Sequence, residues 1–196
     1  KHNIGILKQT KGGSIDGVNV KDLKSYSLSN FDIQKALEQS VPIHTYPELE
    51  DMLSIDEAID TQGRGILLVL TENENVGHWI SIVKHGDVIE IYDPYGFKPD
   101  DHNEKLEVSS QIANTQDDNL LRKLVQKSGY EFKYNKKQHQ SLNRDVATCG
   151  RHAVMRLVFK DIDNQQYDKI IKCISKETGK NPDELAILYT HALIGK

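Results

Sequence analysis

The chain has little of what disulfide frameworks, membrane spans and nucleic-acid surfaces are built from. It contains only 2 cysteines among 196 residues, which excludes a disulfide framework, and no Cys/His spacing resembles a zinc site. Apolar runs such as 66–70 are far shorter than the roughly 20 residues of a membrane-spanning helix. A net charge of −4 gives no global electrostatic reason to bind nucleic acid. We therefore expect no metal, no cofactor and no membrane contact, and at least one free thiol in a reducing compartment.

The order of the predicted elements indicates an α+β fold. Residues 1–28 are rich in Gly, Ser and Lys and predict a flexible or extended N-terminal segment, and residues 29–196 predict one domain. Helices are predicted at both ends around a small sheet, which is typical of the α+β class. Strands are predicted at 66–71, 79–84, 88–92 and 130–134. Helices are predicted at 32–38, from about Pro47, and at 117–128, 149–160, 163–177 and 182–194.

The predicted hairpin at 79–92 carries a histidine and an acid. If its two-residue loop is His85-Gly86, His78 lies directly opposite Asp93, with Cβ atoms about 4.5–5.5 Å apart. The isoleucines that lie between them in the two strands would share the same face, because strand side chains alternate. A carboxylate at this distance can orient the imidazole and stabilise its charged form. A loop at Gly86-Asp87 would instead place Tyr95 opposite His78, so the register is an assumption.

Cys149 supplies the missing nucleophile. It lies in the first turn of a predicted helix whose apolar stripe continues through Ala153 and Leu157. A helix N-terminus and a neighbouring imidazolium both favour the thiolate. Gly150 would allow another backbone to approach closely.

The other candidate residues have ordinary structural interpretations. Cys173 is expected to be a small buried hydrophobe, and Trp79 is either core or a cover for the His78 ring. His152, one turn beyond Cys149, is an alternative base. The remaining histidines are interpreted as structural or exposed, namely His2, His44, His85, His102, His139 and His191.

Four short motifs in order resemble those of adenovirus-type maturation proteases and of the SUMO-deconjugating proteases of the same clan. They are Gly77-His78-Trp79, the segment 91–97, the segment 140–143 and Thr148-Cys149-Gly150. The segment 28–33 is similar to the opening of related proteases from virophages and Polinton-type elements. The resemblance spans about residues 28–160.

This resemblance implies a permuted papain-like fold and a role for each matched residue. His78 is implied as general base, Asp93 as the residue that orients it, and Cys149 as nucleophile. Gln140 would donate to the oxyanion together with the backbone N–H of Cys149. Because the loop from Gln140 to Cys149 is longer than in adenoviral relatives, Gln138 is an alternative donor.

The resemblance also implies a function. It predicts a virus-encoded cysteine endopeptidase, acting as a monomer on capsid or virion precursor proteins, in the virion or the host-cell cytoplasm. The DNA and peptide activators of the adenoviral enzyme are not carried over. Three alternatives stay open: an isopeptidase for ubiquitin-like modifiers, an acyltransferase with the same triad, and an inactive binding module.

Overall fold

A five-stranded mixed sheet forms the centre of the molecule. The computed structural model describes residues 14–15, 18–38, 41–114, 116 and 119–194. The strand order in the sheet is β3-β4-β5-β6-β7, parallel at its two outer pairs and antiparallel between β4, β5 and β6. A short hairpin, β1-β2, stands apart from it. The strands are β1 (Ser14–Ile15), β2 (Val18–Asn19), β3 (Ile43–Thr45), β4 (Arg64–Asn73), β5 (Val76–His85), β6 (Val88–Tyr92) and β7 (Glu131–Tyr134).

Helices flank the sheet, which confirms the α+β prediction. Two short 3-10 helices, Pro47–Asp51 and Ile55–Ala58, replace the single helix predicted from about Pro47. The α-helices are α1 (Val20–Ser25), α2 (Asn30–Ala36), α3 (His102–Lys105), α4 (Ser110–Ala113), α5 (Leu120–Lys127), α6 (Cys149–Val158), α7 (Asn164–Thr178) and α8 (Pro182–Ile194). No helix within the described ranges is long and apolar enough to cross a membrane.

Local capping explains where several helices begin. Ser29 accepts a hydrogen bond from the Asp32 backbone N–H, and the Asp32 carboxylate accepts one from the Ser29 backbone, a reciprocal capping box. The same pattern begins α7 at Asp163. Asn181 and Glu184 exchange hydrogen bonds at the start of α8, as the predicted start signal at that position requires. These starts lie within one or two residues of those predicted.

Strand β4 is covered on both faces, as its apolar sequence predicts. Its even-numbered residues pack with α2 and α6, whereas Leu67 and Val69 face a second core with α5 and the 3-10 helices. A third core joins α7 and α8 to Tyr92 and Met155. The N-terminal end of α6 therefore lies against the sheet, beside strand β5.

The segment before residue 29 differs from its prediction in part. Residues 1–13 lie outside the described residues. Val20–Ser25 forms a helix, capped by the Asn19 side chain, and it packs on α8 rather than extending freely. Leu28 is buried in the core beneath α6. The boundary between residues 28 and 29 stays a prediction.

The predicted register of the β5-β6 hairpin is wrong. His85 pairs with Val88 and Ile82 with Ile91, so the loop is Gly86-Asp87 rather than His85-Gly86. Gly86 has φ +55°, a left-handed conformation that glycine adopts without steric cost. This shift displaces each pairing partner by two residues. Because strand side chains alternate with period two, His78 and Asp93 still belong to the same face.

Candidate active site

His78 lies near the start of β5, where β4 and β5 approach closely. A Cβ added at the preceding Gly77 would lie 2.0 Å from the Val69 carbonyl oxygen, so only glycine fits there. The His78 side chain is buried, and its Nε2 is 2.9 Å from Asp93 Oδ1. The Tyr95 ring stacks on the imidazole with centroids 4.5 Å apart and planes 12° apart. The histidine ring is thus fixed by a hydrogen bond at one edge and by stacking on one face.

A tight turn at 93–96 aims the Asp93 carboxylate at His78. The Gly96 N–H donates to the Asp93 carbonyl at 2.8 Å, and the Tyr95 N–H donates to Asp93 Oδ1 at 2.7 Å. Gly96 has φ +71°, and an added Cβ would lie 2.8 Å from the Lys137 carbonyl carbon. The turn brings the carboxylate back toward β5, so the acid reaches the histidine although the two residues are not directly opposed.

Asn135, which follows β7, holds the backbone of Asp93. Its Oδ1 accepts from the Asp93 N–H and its Nδ2 donates to the Asp93 carbonyl, both at 2.7 Å. The side chain thereby satisfies two buried backbone groups where the β6-β7 ladder ends. Sequence reasoning missed this residue because nothing in its local spacing connects it to position 93.

Cys149 is the first residue of α6, as predicted, and its thiol faces His78. Hydrogen bonding from His78 and from the backbone N–H groups of Trp79 and Gly150 lowers the pKa of the thiol, so these groups lie close to the sulfur. Because Nε2 of His78 is engaged by Asp93, Nδ1 is the ring nitrogen left for the thiol. The space at Gly150 is restricted by side chains rather than by the predicted backbone. An added Cβ would lie 3.1 Å from both Leu28 Cβ and Trp79 Cδ1.

Electrostatics favour a charged pair of cysteine and histidine. Burial lowers the pKa of His78, but the Asp93 carboxylate and the Cys149 sulfur outweigh it and raise the pKa to about 10. Burial raises the pKa of the Cys149 thiol, whereas the hydrogen bond and charge of His78 bring it below its ordinary value. The pKa of Asp93 is also lowered: burial opposes ionisation, and the charge of His78 and the hydrogen bond from His102 overcome it. This arrangement can generate a thiolate nucleophile beside an imidazolium acid.

Gln140 is buried close to this cluster. The N–H groups of His139 and Gln140 both donate to the Pro94 carbonyl, at 2.8 and 2.9 Å, which ties the loop to the turn at 93–96. The Gln140 amide donates to the Tyr95 hydroxyl at 3.2 Å and to the Val146 carbonyl at 3.0 Å. Both amide hydrogens are therefore engaged, while Oε1 is buried with no hydrogen-bond partner among the described residues.

The alternative donor, Gln138, lies differently. Its side chain is exposed, and its amide donates to the backbone carbonyl of Gln140 at 2.8 Å. Among the described residues its amide has no hydrogen bond to Tyr95 or to the Val146 carbonyl. Of the two glutamines, Gln140 is the one bonded to the tyrosine that stacks on His78.

Two of the other histidines, His152 and His139, belong to a second buried cluster. His152 pairs with Asp183 of α8 at 3.0 Å, so it is bound to a carboxylate other than Asp93. His139 contacts Tyr92 at 2.8 Å and Asp168 at 3.3 Å. His44, His85 and His191 are half-buried, and His2 lies outside the described residues. The contacts of His139 agree with its interpretation as a structural residue.

One other sequence interpretation is wrong, and the structure decides between the two alternatives for Trp79. Cys173 is exposed on α7 rather than buried, since it falls on the polar side of that helix. Trp79 is core, and it packs on Gly150 and donates from Nε1 to the Leu28 carbonyl at 3.2 Å. The ring that stacks on His78 belongs to Tyr95.

His102, which the sequence interpretation grouped with the structural or exposed histidines, also lies beside the site. It is buried, and its Nε2 is 2.8 Å from Asp93 Oδ2. Its only sequence signal was its position nine residues after Asp93, which predicts no contact by itself. No group of three His, Cys, Asp or Glu side chains in the described part of the chain could hold a metal ion.

The fold and this geometry define an α+β protein with a buried cysteine–histidine–aspartate cluster. No family model matches the chain. The chain is 31% identical over 175 residues to the uncharacterized protein V9 of Sputnik virophage, an alignment that covers 87% of this chain and 99% of that protein. The chain therefore belongs to the family of that virophage protein.

A solved protease from ASFV has a distant likeness to the structure. It aligns with a TM-score of 0.45 and 14% sequence identity, over 85% of this chain and 67% of the protease chain. At this level the likeness assigns no site residue and no activity.

Proposed function

We propose that the chain is a cysteine endopeptidase with Cys149 as nucleophile, His78 as general base and Asp93 as the residue that orients the histidine. The observation that carries the proposal is the Asp93–His78–Cys149 relay. A buried carboxylate holds Nε2 of His78 at 2.9 Å, and the hydrogen bonding and charge of Cys149 raise the pKa of the same ring. Neither a structural cysteine nor a structural histidine requires such a relay.

The chemistry follows from these contacts. The thiol proton passes to Nδ1 of His78, and the thiolate attacks the substrate carbonyl carbon to form a carbon–sulfur bond. The carbon–nitrogen bond then breaks as His78 protonates the leaving amine. Water, deprotonated by His78, hydrolyses the thioester, which releases the acid and restores the thiol.

The oxyanion of the tetrahedral intermediate requires donors near the sulfur. The backbone N–H of Cys149 is available, because the first N–H groups of a helix have no partner within it. Gln140 would supply the second donor once the oxyanion displaces the Tyr95 hydroxyl, the longer of its two amide contacts at 3.2 Å. Each such donor is worth about 2.7–4 kcal/mol in related chemistries.

A groove beside the nucleophile offers a place for the substrate peptide. It has a volume of about 500 Å³, with Leu28, Leu68 and Trp79 among its apolar lining. Leu28 and Trp79 are also the side chains that restrict the space at Gly150. Phe31 and Val76, which line the groove as well, are 69% and 41% exposed. This supports an extended peptide with an apolar side chain close to the scissile bond.

We further propose that the substrates are capsid or other virion precursor proteins of a virus that encodes the chain. The support is the 31% identity to a virophage protein over nearly the whole of its length, together with the maturation-protease resemblance of the sequence. The protein would act, as a monomer, in the virion or the host-cell cytoplasm.

The experiment compares the purified wild type with Cys149→Ala and with Cys173→Ala as the matched control. Each is incubated with capsid protein from the same genome and, separately, with ubiquitin-like vinyl-sulfone probes. We expect capsid cleavage by the wild type and by Cys173→Ala, and none by Cys149→Ala. A correctly folded Cys149→Ala protein with full activity would exclude the proposal. Labelling by a probe without capsid cleavage would favour an isopeptidase instead.

A further inference from the structure

The Asp93 carboxylate is shared between two histidines. Oδ1 receives the His78 Nε2 at 2.9 Å and the Tyr95 N–H at 2.7 Å, whereas Oδ2 receives the His102 Nε2 at 2.8 Å. Asp93 has no solvent exposure. Each oxygen of a carboxylate buried in this way needs a donor, because desolvation otherwise favours the neutral acid. In the described part of the chain, His102 is the donor to Oδ2.

Hydrogen bonds anchor the residues that precede and follow His102 in the sequence. Asp100, two residues before it, bonds to the Tyr46 hydroxyl and accepts from the Leu121 N–H at 3.2 Å, at the beginning of α5. Asn103, the next residue, donates to the Gln116 carbonyl at 3.0 Å. The Gln116 side chain in turn exchanges hydrogen bonds of 2.9 and 3.0 Å with the backbone of Leu70 in β4.

The tautomer of His102 follows from its surroundings. A donor to a carboxylate oxygen must carry its proton on Nε2, which leaves Nδ1 as the acceptor nitrogen. Nδ1 is buried with no hydrogen-bond partner among the described residues, and His102 lines a small cavity with Asp100 and Gln116. Among the described residues, the hydrogen bond to Asp93 is the polar contact of the ring.

We infer that His102 is a positioning residue for the proposed catalytic relay: it holds Oδ2 of Asp93 so that Oδ1 stays aligned with His78. The inference rests on the proposed function. Without the donor on Oδ2, the carboxylate is free to rotate about its side-chain torsion, and the imidazolium loses part of its counter-charge. The thiolate beside that imidazolium then becomes less stable. His102 touches neither the thiol nor the groove, so its loss is expected to leave substrate binding unchanged.

Several ionisable groups surround this site. Asp93 interacts electrostatically with His78, His102 and Tyr92, and Cys149 interacts with His78 and Tyr95, while Asp183 of α8 acts on Tyr95. Substitutions at position 102 alter one of these groups and leave the others in place. A changed pH dependence of Cys149 alkylation would then indicate a change in the Asp93–His78–Cys149 relay.

The test measures the rate of Cys149 alkylation by iodoacetamide against pH, in a Cys173→Ala background, together with kcat and KM for peptide cleavage. His102→Phe keeps a ring but removes the donor, and His102→Gln restores an N–H close to the original Nε2. We expect His102→Phe to lower kcat by about tenfold or more with KM unchanged, by analogy with lost outer-shell partners of metal-bound histidines. We also expect it to move the alkylation profile to higher pH. His102→Gln should recover most of both.

The matched control is His85→Phe. His85 lies at the far end of β5 from His78, and its Nε2 is 3.7 Å from the Glu90 carboxylate. It has no contact with Asp93, so both profiles should equal those of the parent. Thermal unfolding of each variant confirms that it is folded.

Two outcomes would overturn the inference. One is a folded His102→Phe protein with the parent's kcat and alkylation profile. The other is a folded His102→Gln protein as impaired as His102→Phe, which would mean that the ring and not its hydrogen bond matters. Alkylation needs no peptide substrate, so a protein that alkylates as expected but cleaves no peptide would refute the proposed function alone.

Discussion

Two clusters of buried histidine and aspartate border the loop from Gln140 to Cys149, and they behave in opposite ways. In the Asp93 cluster (Asp93, His78 and His102), the pKa of His78 is raised to about 10. In the Asp183 cluster (Asp183, Asp168, His139 and His152), the pKa of His139 is lowered to about 4. Burial lowers the pKa of both histidines, so burial alone does not decide their charge.

The two histidines differ in the groups that counteract the effect of burial on their pKa. His78 faces a carboxylate with no solvent exposure and the sulfur of Cys149. His139 faces the second imidazole of His152, which lowers its pKa further, and the Asp168 side chain, which is 15% exposed and raises it only weakly. The same residue types thus give a charged histidine in one cluster and a neutral one in the other.

The two clusters also hold different parts of the site. Asp183 accepts from the Thr148 hydroxyl at 2.5 Å and from the Ser141 N–H at 3.1 Å. These residues directly precede Cys149 and directly follow Gln140. The Asp183 cluster therefore fastens the loop to α8, whereas the Asp93 cluster tunes the thiol that the loop carries.

The largest expected loss of activity comes from substitution of the histidine in the Asp93 cluster that contacts the thiol. His78→Ala removes the proposed base and the partner of the thiolate, so peptide cleavage should fall by about 10⁴-fold or more. Initial rates with a peptide substrate measure it, with circular dichroism to confirm folding. A folded His78→Ala protein that retains a tenth of the activity would mean that another base, such as His152, serves the thiol.

Asp93→Asn should have the next largest effect, because the amide keeps the shape but removes the charge that stabilises the imidazolium. By comparison with triads in other proteases we expect a loss of about 10⁴-fold, less than the roughly 10⁶-fold loss expected for removal of the nucleophile. The pH–rate profile should change as well. An unaltered rate and profile would remove Asp93 from the relay.

Gln140→Ala tests the oxyanion assignment. Loss of one donor should lower kcat by about 10²-fold with little change in KM. Gln138→Ala is the matched comparison, since its exposed amide bonds only to the Gln140 carbonyl. If Gln138→Ala were the more impaired of the two, the donor assignment would be reversed.

The smallest effect on activity is expected in the Asp183 cluster. The pKa of His139, about 4 in the folded protein, is below the ordinary value of about 6.5, so the unfolded chain binds more protons between these values. Stability should therefore fall as the pH drops from about 6.5 to 4, by up to about 3 kcal/mol from this residue. His139→Asn, whose Oδ1 can accept from Tyr92, should reduce that dependence in urea unfolding at pH 4.5 and 7. If the pH dependence of stability were unchanged in His139→Asn, groups other than His139 would be responsible for it.

Much of the site was predictable because its residues lie within short local patterns. The position of Cys149 follows from the apolar stripe of α6, and the face shared by His78 and Asp93 follows from strand alternation. The hairpin register was not predictable. A loop at Gly86-Asp87 and one at His85-Gly86 both leave His78 and Asp93 on the same face, and they differ only in which residues pair. The contacts of His102, Asn135 and Asp183 were not predictable, because each spans a turn or many residues of chain without periodicity.

The pH dependence of Cys149 alkylation shows whether Cys149 and His78 form the thiolate–imidazolium pair on which the proposed activity depends. In a Cys173→Ala background, we expect rapid alkylation well below the ordinary thiol pKa of about 8.5, and a shift toward that value in His78→Ala. An alkylation profile centred near 8.5 in both proteins would contradict it.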